Sequence, residues 1–179
     1  MHISELFSLA EKCAVVVGGA GKLGFPISEA LAEAGARVYI ASRRPENYLP
    51  RVEALRRAGL QVQGMSMDQA DEKSVTQCLA AVTKESKTPA ILVNCGVQRP
   101  MRKYLDDTVE AWDCSMSVNA RGLFVTCRAF ARAMARDGGG SILNLASNYG
   151  VVAPDQGIYE GTPIQTEPDY PYTKGGMIM

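Results

Sequence analysis

Residues 13–24 read CAVVVGGAGKLG, an apolar run that leads into a turn rich in glycine. The apolar part, Cys13 to Gly18, predicts a short strand that is buried in a sheet. Phe25 to Ala34 then carries apolar residues at helical spacing and is followed by Gly35, which is typical of a helix C-terminus. This stretch therefore predicts a strand, a tight turn and a helix in direct succession.

The same alternation of apolar runs and helical patterns continues along the chain. Further strands are predicted at Arg37 to Ala41, Leu60 to Met67, Ala90 to Asn94 and Ser141 to Ala146. Helices are predicted at Pro45 to Ala58, at Asp71 to Lys84, at Thr108 to Arg136 with a break near Ser117, and in the last residues of the chain. Such alternation implies an α/β fold with a doubly wound parallel sheet in three α/β/α layers.

The sequence also predicts how deeply the fifth strand is buried, how many domains the chain forms and where the sheet binds a ligand. Its sequence, SILNLA at 141–146, has no polar face, so we expect a strand buried on both sides. A length of 179 residues predicts one domain, residues 1–179. Sheets of this class bind ligands at the carboxyl ends of their strands, where the motifs described below are found.

Charge and hydropathy exclude several classes of protein. Nineteen basic and nineteen acidic residues cancel, and no basic stripe favours nucleic acid or a membrane surface as a partner. The sequence MHISELFSLAEK lacks the features of a signal peptide, and no run approaches the ~18 apolar residues of a membrane span. We expect a cytoplasmic protein.

The cysteine and histidine content limits the chemistry. Five cysteines are scattered without a C-x-x-C pair, which argues against a disulfide framework or a metal site. We expect Cys95, Cys114 and Cys127 to be small core residues, and Trp112 to pack at a helix interface. His2 is the only histidine, so acid–base chemistry must use tyrosine, lysine or carboxylates.

The glycine turn, Gly18 to Gly24, contains four glycines in seven positions, more than a plain strand-to-helix turn needs. Glycine lets the backbone approach a pyrophosphate, whose charge then faces the helix N-terminus. This turn predicts binding of a dinucleotide, with a site formed by Gly18, Gly21, Lys22, Leu23 and Gly24.

The end of the second strand bears on the choice of cofactor. Folds that bind NAD commonly have an acidic residue there, whereas this chain has Ser42, Arg43 and Arg44. Serine and arginine leave room for a 2′-phosphate and supply positive charge, to which Lys22 can add. The plainer alternative is that both arginines are solvated residues at a helix start. We expect NADP(H) to be favoured over NAD(H), with NAD(H) as the alternative cofactor.

Tyr170 and Lys174, in the sequence YPYTK, are four residues apart and share one face of a helix. The lysine ammonium can stabilise a tyrosine phenolate, and the phenol can exchange a proton with a carbonyl or alcohol oxygen. Four residues after Tyr172 is Gly176, and four after Tyr159 is Pro163, so neither of those tyrosines has its lysine.

From about Lys12 to its last residue, the chain resembles the short-chain dehydrogenases/reductases. Its glycine turn resembles their T-G-x-x-x-G-x-G, and Asn94-Cys95-Gly96 resembles their N-A-G at the end of the fourth strand. Asp68 resembles the acidic residue that contacts adenine. The chain also resembles the family at the positions of its catalytic residues, which here are Asn119, Ser147, Tyr170 and Lys174.

The resemblance implies a Rossmann fold and hydride transfer between nicotinamide and a small carbonyl or alcohol substrate. It gives Tyr170 the role of general acid or base, and Lys174 a second contact with the nicotinamide ribose. Ser147 would bind the substrate oxygen, although a serine in a strand-end turn explains it equally. Asn119 would hold a water or backbone group in a proton relay, and its plainer explanation is a cap on a helix kink.

Departures from the family pattern keep two other readings open. Lys22 replaces the middle glycine, so the turn also fits the G-x-x-G-x-x-G of sugar-nucleotide epimerases and dehydratases. Ser147 and Tyr170 are about ten residues further apart than usual because of residues 152–169, here called the inserted segment. It resembles that of bacterial members linked to flagellin glycosylation and surface-sugar synthesis, and it places Tyr159 at the more usual distance.

The position of Lys174 near the end of the chain suggests an incomplete fold, since only five residues follow it. The resemblance implies that further strands follow in a longer protein, with about seven parallel strands and assembly into a homodimer or homotetramer. A non-catalytic NADP-binding fragment is the third reading of the chain as it stands.

Overall fold

A five-stranded parallel sheet forms the centre of the computed structural model, which describes residues 2–179 with the exception of the Ser4 side chain. The strands are ordered β3-β2-β1-β4-β5, the order of a doubly wound fold. Their bounds are β1 (Cys13–Val17), β2 (Arg37–Ser42), β3 (Val62–Ser66), β4 (Ile91–Asn94) and β5 (Ser141–Asn144). The predicted α/β fold with a doubly wound sheet is confirmed. The strand order reverses between β1 and β4, because β2 and β3 are added on one side of β1 and β4 and β5 on the other.

Seven α-helices connect or flank the strands of the described chain. They are α1 (Ile3–Leu6), α2 (Gly24–Glu33), α3 (Pro45–Arg57), α4 (Glu72–Glu85), α5 (Val109–Met116), α6 (Leu123–Arg136) and α7 (Asp169–Ile178). Shorter 3₁₀ turns lie at Tyr104–Asp106, Asn148–Gly150 and Gln156–Tyr159. None of the helices described in residues 2–179 is long and apolar enough to cross a membrane.

Two apolar cores cover the two faces of the sheet, as three layers require. Alternate residues of β1 divide between them: Cys13 and Val15 face the core built with α4 and α6, while Ala14 and Val16 face the core built with α2 and α3. Because both faces of β1 are buried, its sequence is apolar throughout instead of alternating.

The break predicted near Ser117 is a π-helical turn, Ser117–Gly122, that joins α5 to α6. Such a turn has one residue more than an α-helical turn and is frequent at functional sites. Here it carries Asn119, whose side chain is buried. The long helical pattern of the sequence is therefore two helices with the buried Asn119 at their junction.

The prediction that β5 is buried on both sides is wrong for the described chain. The sheet ends at β5, where Leu143 is 55% exposed and Ile142 is half-buried against one core. The apolar sequence of β5 therefore did not ensure burial of Leu143. The expectation for Cys114 was also wrong, since it is exposed, whereas Trp112 packs on Tyr172 with ring centroids 5.1 Å apart, as expected.

Candidate active site

A cleft of about 920 Å³ opens at the carboxyl ends of β1, β2 and β4. This is the switch point of the sheet, where doubly wound folds bind their ligands. The cleft brings together most of the predicted cofactor residues together with the predicted catalytic tyrosine, namely Gly18, Gly21, Lys22, Leu23, Gly24, Ser42, Arg43, Asp68, Gly96 and Tyr170.

The glycine turn forms the floor of this cleft by close backbone contacts. Gly18 has a positive φ of 72°, and a Cβ there would lie 2.7 Å from the backbone nitrogen of Gly96. A Cβ on Gly24 would overlap the carbonyl oxygen of Gly18. Within the part of the chain that the structure describes, no side chain caps the start of α2. This cradle fits an anionic group such as a diphosphate.

Basic side chains surround the part of the cleft beyond β2. Lys22 and Arg43 are both exposed and line the cleft, and neither is ion-paired among residues 2–179. The Arg43 Nη2 donates across the cleft to the Oε1 of Gln98, at 2.9 Å. Ser42 is half-buried beside them. This set can accept a phosphate group.

Asp68 is held in place after β3 by local hydrogen bonds. Its Oδ1 accepts from the amide of Ala70 at 3.0 Å, and its own amide donates to the Ser74 hydroxyl at 2.9 Å. Because its carboxylate lines the cleft, it can accept hydrogen bonds from a bound ligand.

Asn119 fixes the loop that follows β4. Its Oδ1 accepts from the backbone nitrogen of Gln98 at 2.8 Å, and its Nδ2 donates to the Gln98 carbonyl at 2.7 Å and to the Ser115 hydroxyl at 2.9 Å. With 3% of its surface exposed, Asn119 acts on the cleft through Gln98.

Two predicted site residues have their side chains engaged outside the cleft. The Asn94 Nδ2 donates to the Oδ1 of Asn144 at 2.8 Å, which ties β4 to β5. The Ser147 hydroxyl accepts from the amide of Tyr149 and donates to the Oδ1 of Asn148, both at 3.2 Å. Ser147 therefore caps the 3₁₀ turn Asn148–Gly150, as the plainer reading of its sequence position suggested.

Tyr170 and Lys174 lie together on α7, as their spacing predicted. The Lys174 Nζ lies 5.7 Å from the centroid of the Tyr170 ring and donates to the carbonyl of Leu145. Burial lowers the pKa of Lys174. Burial also raises the pKa of the Cys95 thiol to about 11, so this cysteine is a neutral neighbour of the ammonium and not a thiolate.

The inserted segment folds back towards the site. Its 3₁₀ turn, Gln156–Tyr159, is capped by Asp155, and the Gln156 side chain donates to the carbonyl of Thr166 at 2.7 Å. The Tyr159 hydroxyl is hydrogen-bonded to that of Tyr149, and this bond is the main cause that raises the pKa of Tyr149. Tyr159 thus has a tyrosine as its partner, and no lysine.

Several residues in or beside the cleft were not singled out from the sequence. Gln98 contacts both Arg43 and Asn119, and Gln69 donates to the carbonyl of Val118 at 2.8 Å. Arg99 lies over the Tyr170 ring, with its Cζ 4.7 Å from the centroid. Their position just after β3 and β4 was the signal that could have identified them, because carboxyl ends of parallel strands meet at the site.

Two buried carboxylates lie at the start of α7, close to Tyr170 in sequence. Glu167 is 3% exposed and Asp169 fully buried, and their carboxylate oxygens have no hydrogen-bond partner among the described residues. Burial raises the pKa of Glu167, and the charges of Asp107 and Asp169 add to the rise. Within residues 2–179, no three His, Cys, Asp or Glu side chains are grouped so that they could hold a metal ion.

Comparison with known proteins gives matches in sequence. The profile of the family described as short chain dehydrogenase matches residues 12–162. An uncharacterized oxidoreductase of Thermotoga maritima is 32% identical over 170 residues, which are 95% of this chain and 62% of the relative. A D-threitol dehydrogenase of Mycolicibacterium smegmatis is 32% identical over 152 residues, 85% of this chain and 58% of the relative. The chain spans about three fifths of the length of these relatives.

Solved structures match over nearly the whole chain. A short-chain type dehydrogenase/reductase from Mycobacterium marinum has a TM-score of 0.87 at 26% identity, covering 99% of this chain and 69% of its own. A gluconate 5-dehydrogenase from Burkholderia cenocepacia, solved in complex with NADP and tartrate, has a TM-score of 0.83 at 28% identity. That match covers 98% of this chain and 65% of the other.

Proposed function

Since the chain belongs to the short-chain dehydrogenase family, we propose that the protein is an oxidoreductase that uses NAD(P)(H) and acts on a carbonyl or alcohol group of a small molecule. The observation that carries this proposal is the cleft. Its glycine turn fits a diphosphate, and Tyr170 with two cations beside its ring lies in the same cleft. A dinucleotide bound along it would extend from one to the other.

The cofactor proposal follows from the residues of the cleft. Gly18, Gly21 and Gly24 would hold the diphosphate against the start of α2. Ser42, Arg43 and Lys22 would take a 2′-phosphate, which favours NADP(H) over NAD(H). Adenine would lie beside Asp68. The backbone near Asn94 and Gly96 would line the binding site of the nicotinamide half, and Lys174 would contact the nicotinamide ribose. When bound, the nicotinamide supplies or accepts the hydride.

The protein's own part is to hold the substrate and move a proton. Tyr170 donates a proton from its hydroxyl to the substrate oxygen in reduction, and takes one in oxidation. Lys174 stabilises the phenolate that remains, since its ammonium is held beside the ring by the Leu145 carbonyl. To orient the substrate oxygen, the Ser147 hydroxyl would exchange its bond to the Asn148 side chain for one to the substrate. Asn119 keeps the Gln98 backbone in place, which shapes the cleft wall next to Arg99.

Further parts of the proposal concern the whole protein. Residues 1–179 form one domain of a protein that assembles as a homodimer or homotetramer. The five free cysteines support a cytoplasmic location. The resemblance of the inserted segment to the surface-sugar branch of the family stays a prediction. A sugar-nucleotide epimerase is less well supported, because the related proteins named above are oxidoreductases.

The proposal can be tested with the full-length protein. NADPH and NADH are titrated by fluorescence, and hydride transfer is then followed by the loss of NADPH absorbance with a panel of aldehydes, ketones and oxo acids. We expect saturable NADPH binding and turnover of at least one carbonyl compound. A protein that binds neither nucleotide would contradict the proposal.

A further inference from the structure

Arg99 occupies the end of the cleft that contains the proposed catalytic tyrosine. Its Cζ lies 4.7 Å from the centroid of the Tyr170 ring, so the guanidinium stacks on the ring. One terminal nitrogen, Nη2, donates to the carbonyl of Gln165 in the inserted segment, at 2.8 Å. These two contacts hold the half-buried arginine against the Tyr170 ring and the inserted segment.

The charge of Arg99 has no counterpart in the described part of the chain. Ion pairs between residues 2–179 involve Arg57, Arg128 and Arg136, but not Arg99. The cation that acts on the buried carboxylate of Glu167 is Arg102 and not Arg99. Withdrawing a cation from water without an anion is unfavourable, so an unpaired arginine in a cleft points to an anionic ligand.

The remaining donors of Arg99 favour a particular kind of anion. A guanidinium carries five N–H donors in a planar fork, and the Arg99 fork donates to one acceptor among residues 2–179, the carbonyl of Gln165. Such a fork matches the two oxygens of a carboxylate or phosphate, and these charge-assisted bonds are among the strongest in proteins. The anion would lie close to the Tyr170 hydroxyl, within reach of a substrate that is bound there.

We propose that Arg99 binds an anionic group of the substrate, a carboxylate or a phosphate a few bonds from the reacting carbon, so that the protein acts on hydroxy and oxo acids in preference to neutral alcohols. This inference rests on the proposed oxidoreductase function and specifies its substrate class. Anchoring the anion fixes the orientation of the substrate, so its carbonyl oxygen is presented to Tyr170.

The test compares matched pairs of probes that differ in charge. Suitable pairs are gluconate with glucitol, tartrate with threitol, and dihydroxyacetone phosphate with dihydroxyacetone. Binding to the full-length Tyr170→Phe protein, loaded with NADP, is measured by calorimetry, because this variant keeps the ring under Arg99 and avoids turnover. We expect the anion of at least one pair to bind about tenfold or more tightly than its neutral partner. The pair that responds distinguishes carboxylate from phosphate.

Replacement of the arginine completes the test. In the same background, Arg99→Gln should remove the preference for the anion, with little change for the neutral probe, and Arg99→Lys should keep part of it. Arg51→Gln is the matched control, since Arg51 also lines the cleft and stacks on an aromatic ring, that of Phe25 at 4.6 Å. That control should retain the preference.

Three results would overturn the inference. One is that no anion is preferred in any pair, and another is that the preference survives in Arg99→Gln. The third is that Arg99→Gln loses NADP binding, which would assign the arginine to the cofactor. Because binding is measured without turnover, these results are distinct from failure of the proposed oxidoreductase function, which would appear as absence of nucleotide binding or hydride transfer in the unmodified protein.

Discussion

Two cations lie beside the ring of Tyr170, and they differ in what they can contact. Lys174 is 6% exposed and is tied to the Leu145 carbonyl, so its charge acts on the tyrosine from within the protein. Arg99 is half-buried and faces the cleft, so its charge is available to a ligand. At the scale of single residues, this difference fits the roles proposed above, stabilisation of a phenolate by Lys174 and recognition of a substrate by Arg99.

Tyr170→Phe should lower kcat by a factor of about 10²–10⁴ and leave NADPH binding nearly unchanged, because the hydroxyl acts on the substrate oxygen only. Lys174→Ala should lower kcat and also weaken NADPH binding, since the lysine is proposed to act on the Tyr170 phenolate and on the nicotinamide ribose. Steady-state kinetics and fluorescence titration of the full-length variants measure the two effects. Tyr172→Phe is the matched control, because that exposed tyrosine of α7 stacks on Trp112. Loss of activity in Tyr159→Phe, with Tyr170→Phe fully active, would show that the catalytic tyrosine is assigned wrongly.

Arg43→Ala should weaken NADPH binding by roughly ten- to a hundredfold and change NADH binding little, because only NADPH carries the phosphate that the guanidinium would bind. The control is Arg44→Ala, which removes the same charge from the next residue, one that does not line the cleft. Dissociation constants of both nucleotides decide the matter. Equal losses for NADPH and NADH would assign Arg43 a role that does not distinguish the cofactors.

Glu167 should make the stability of the protein depend on pH. Burial raises the pKa of its carboxyl in the folded state, so the stability it contributes is complete below the unfolded pKa and is lost as pH rises through the raised value. Glu167→Gln, which resembles the protonated form, should therefore match the unmodified protein in acid. At neutral pH it should be more stable by about 1 kcal/mol, which is roughly 2–4 °C in Tm.

Thermal unfolding between about pH 4 and pH 8 would measure this difference. Glu160→Gln serves as the control, because Glu160 is an exposed glutamate of the same inserted segment. If both variants have the same pH profile as the unmodified protein, the Glu167 carboxyl is solvated and the buried position does not govern its titration.

At the scale of elements, local sequence predicted strands and helices well and predicted side-chain contacts poorly. Every predicted strand is present, and the expected break near Ser117 is the π-helical turn that carries Asn119. Glycine is unfavourable inside a strand, and its presence at Gly64 in β3 is explained by tertiary packing. The ring of Tyr48 occupies the space where a Cβ of residue 64 would be. Such a contact joins α3 to β3, and no pattern within either element shows it.

For the site, too, the sequence predicted which residues lie in the cleft better than it predicted their side-chain partners. Gly18, Arg43 and Tyr170 meet in one cleft because each follows a strand or begins a helix at the same edge of the sheet. The partners of Ser147 and Asn94 were not predictable, because short side chains at strand ends can bond either to a ligand or to a neighbouring turn. Arg99 was missed for a related reason: its importance comes from a contact with a helix that lies about seventy residues later in the chain.

Gly24 at the start of α2 has close backbone contacts, and Gly176 in α7 serves as its control because it has none. Gly24→Ala should prevent the glycine turn from closing, because its methyl group would overlap the carbonyl of Gly18, a backbone atom that cannot move aside. We expect loss of stability by about 1–3 kcal/mol and loss of NADPH binding. Gly176→Ala in α7 meets no atom within 4 Å, so it should be neutral or stabilise by roughly 0.5–1 kcal/mol. Denaturant unfolding of both variants would measure this, and equal effects would contradict the assigned contact.

For the molecule as a whole, the distribution of burial across the sheet is uneven. β1 is covered on both faces, whereas β5 forms an edge at which Leu143 is 55% exposed. The outer backbone groups of an edge strand can pair with another chain, and an apolar side chain on that strand favours such pairing. Natural edge strands are usually protected by charges or by a covering element, and β5, with the sequence SILN, carries no charged residue.

We therefore predict that an expressed chain of residues 1–179 is inactive and self-associates through β5, whereas the full-length protein forms a defined homo-oligomer. Leu143→Lys should reduce self-association of residues 1–179, because a charge on the edge opposes strand pairing. Leu105→Lys is the control, since Leu105 is 89% exposed but does not lie on a strand. Light scattering and sedimentation measure the association. A monodisperse monomer of residues 1–179 with reductase activity would refute the prediction, because it would show that five strands with an open edge suffice for folding and function.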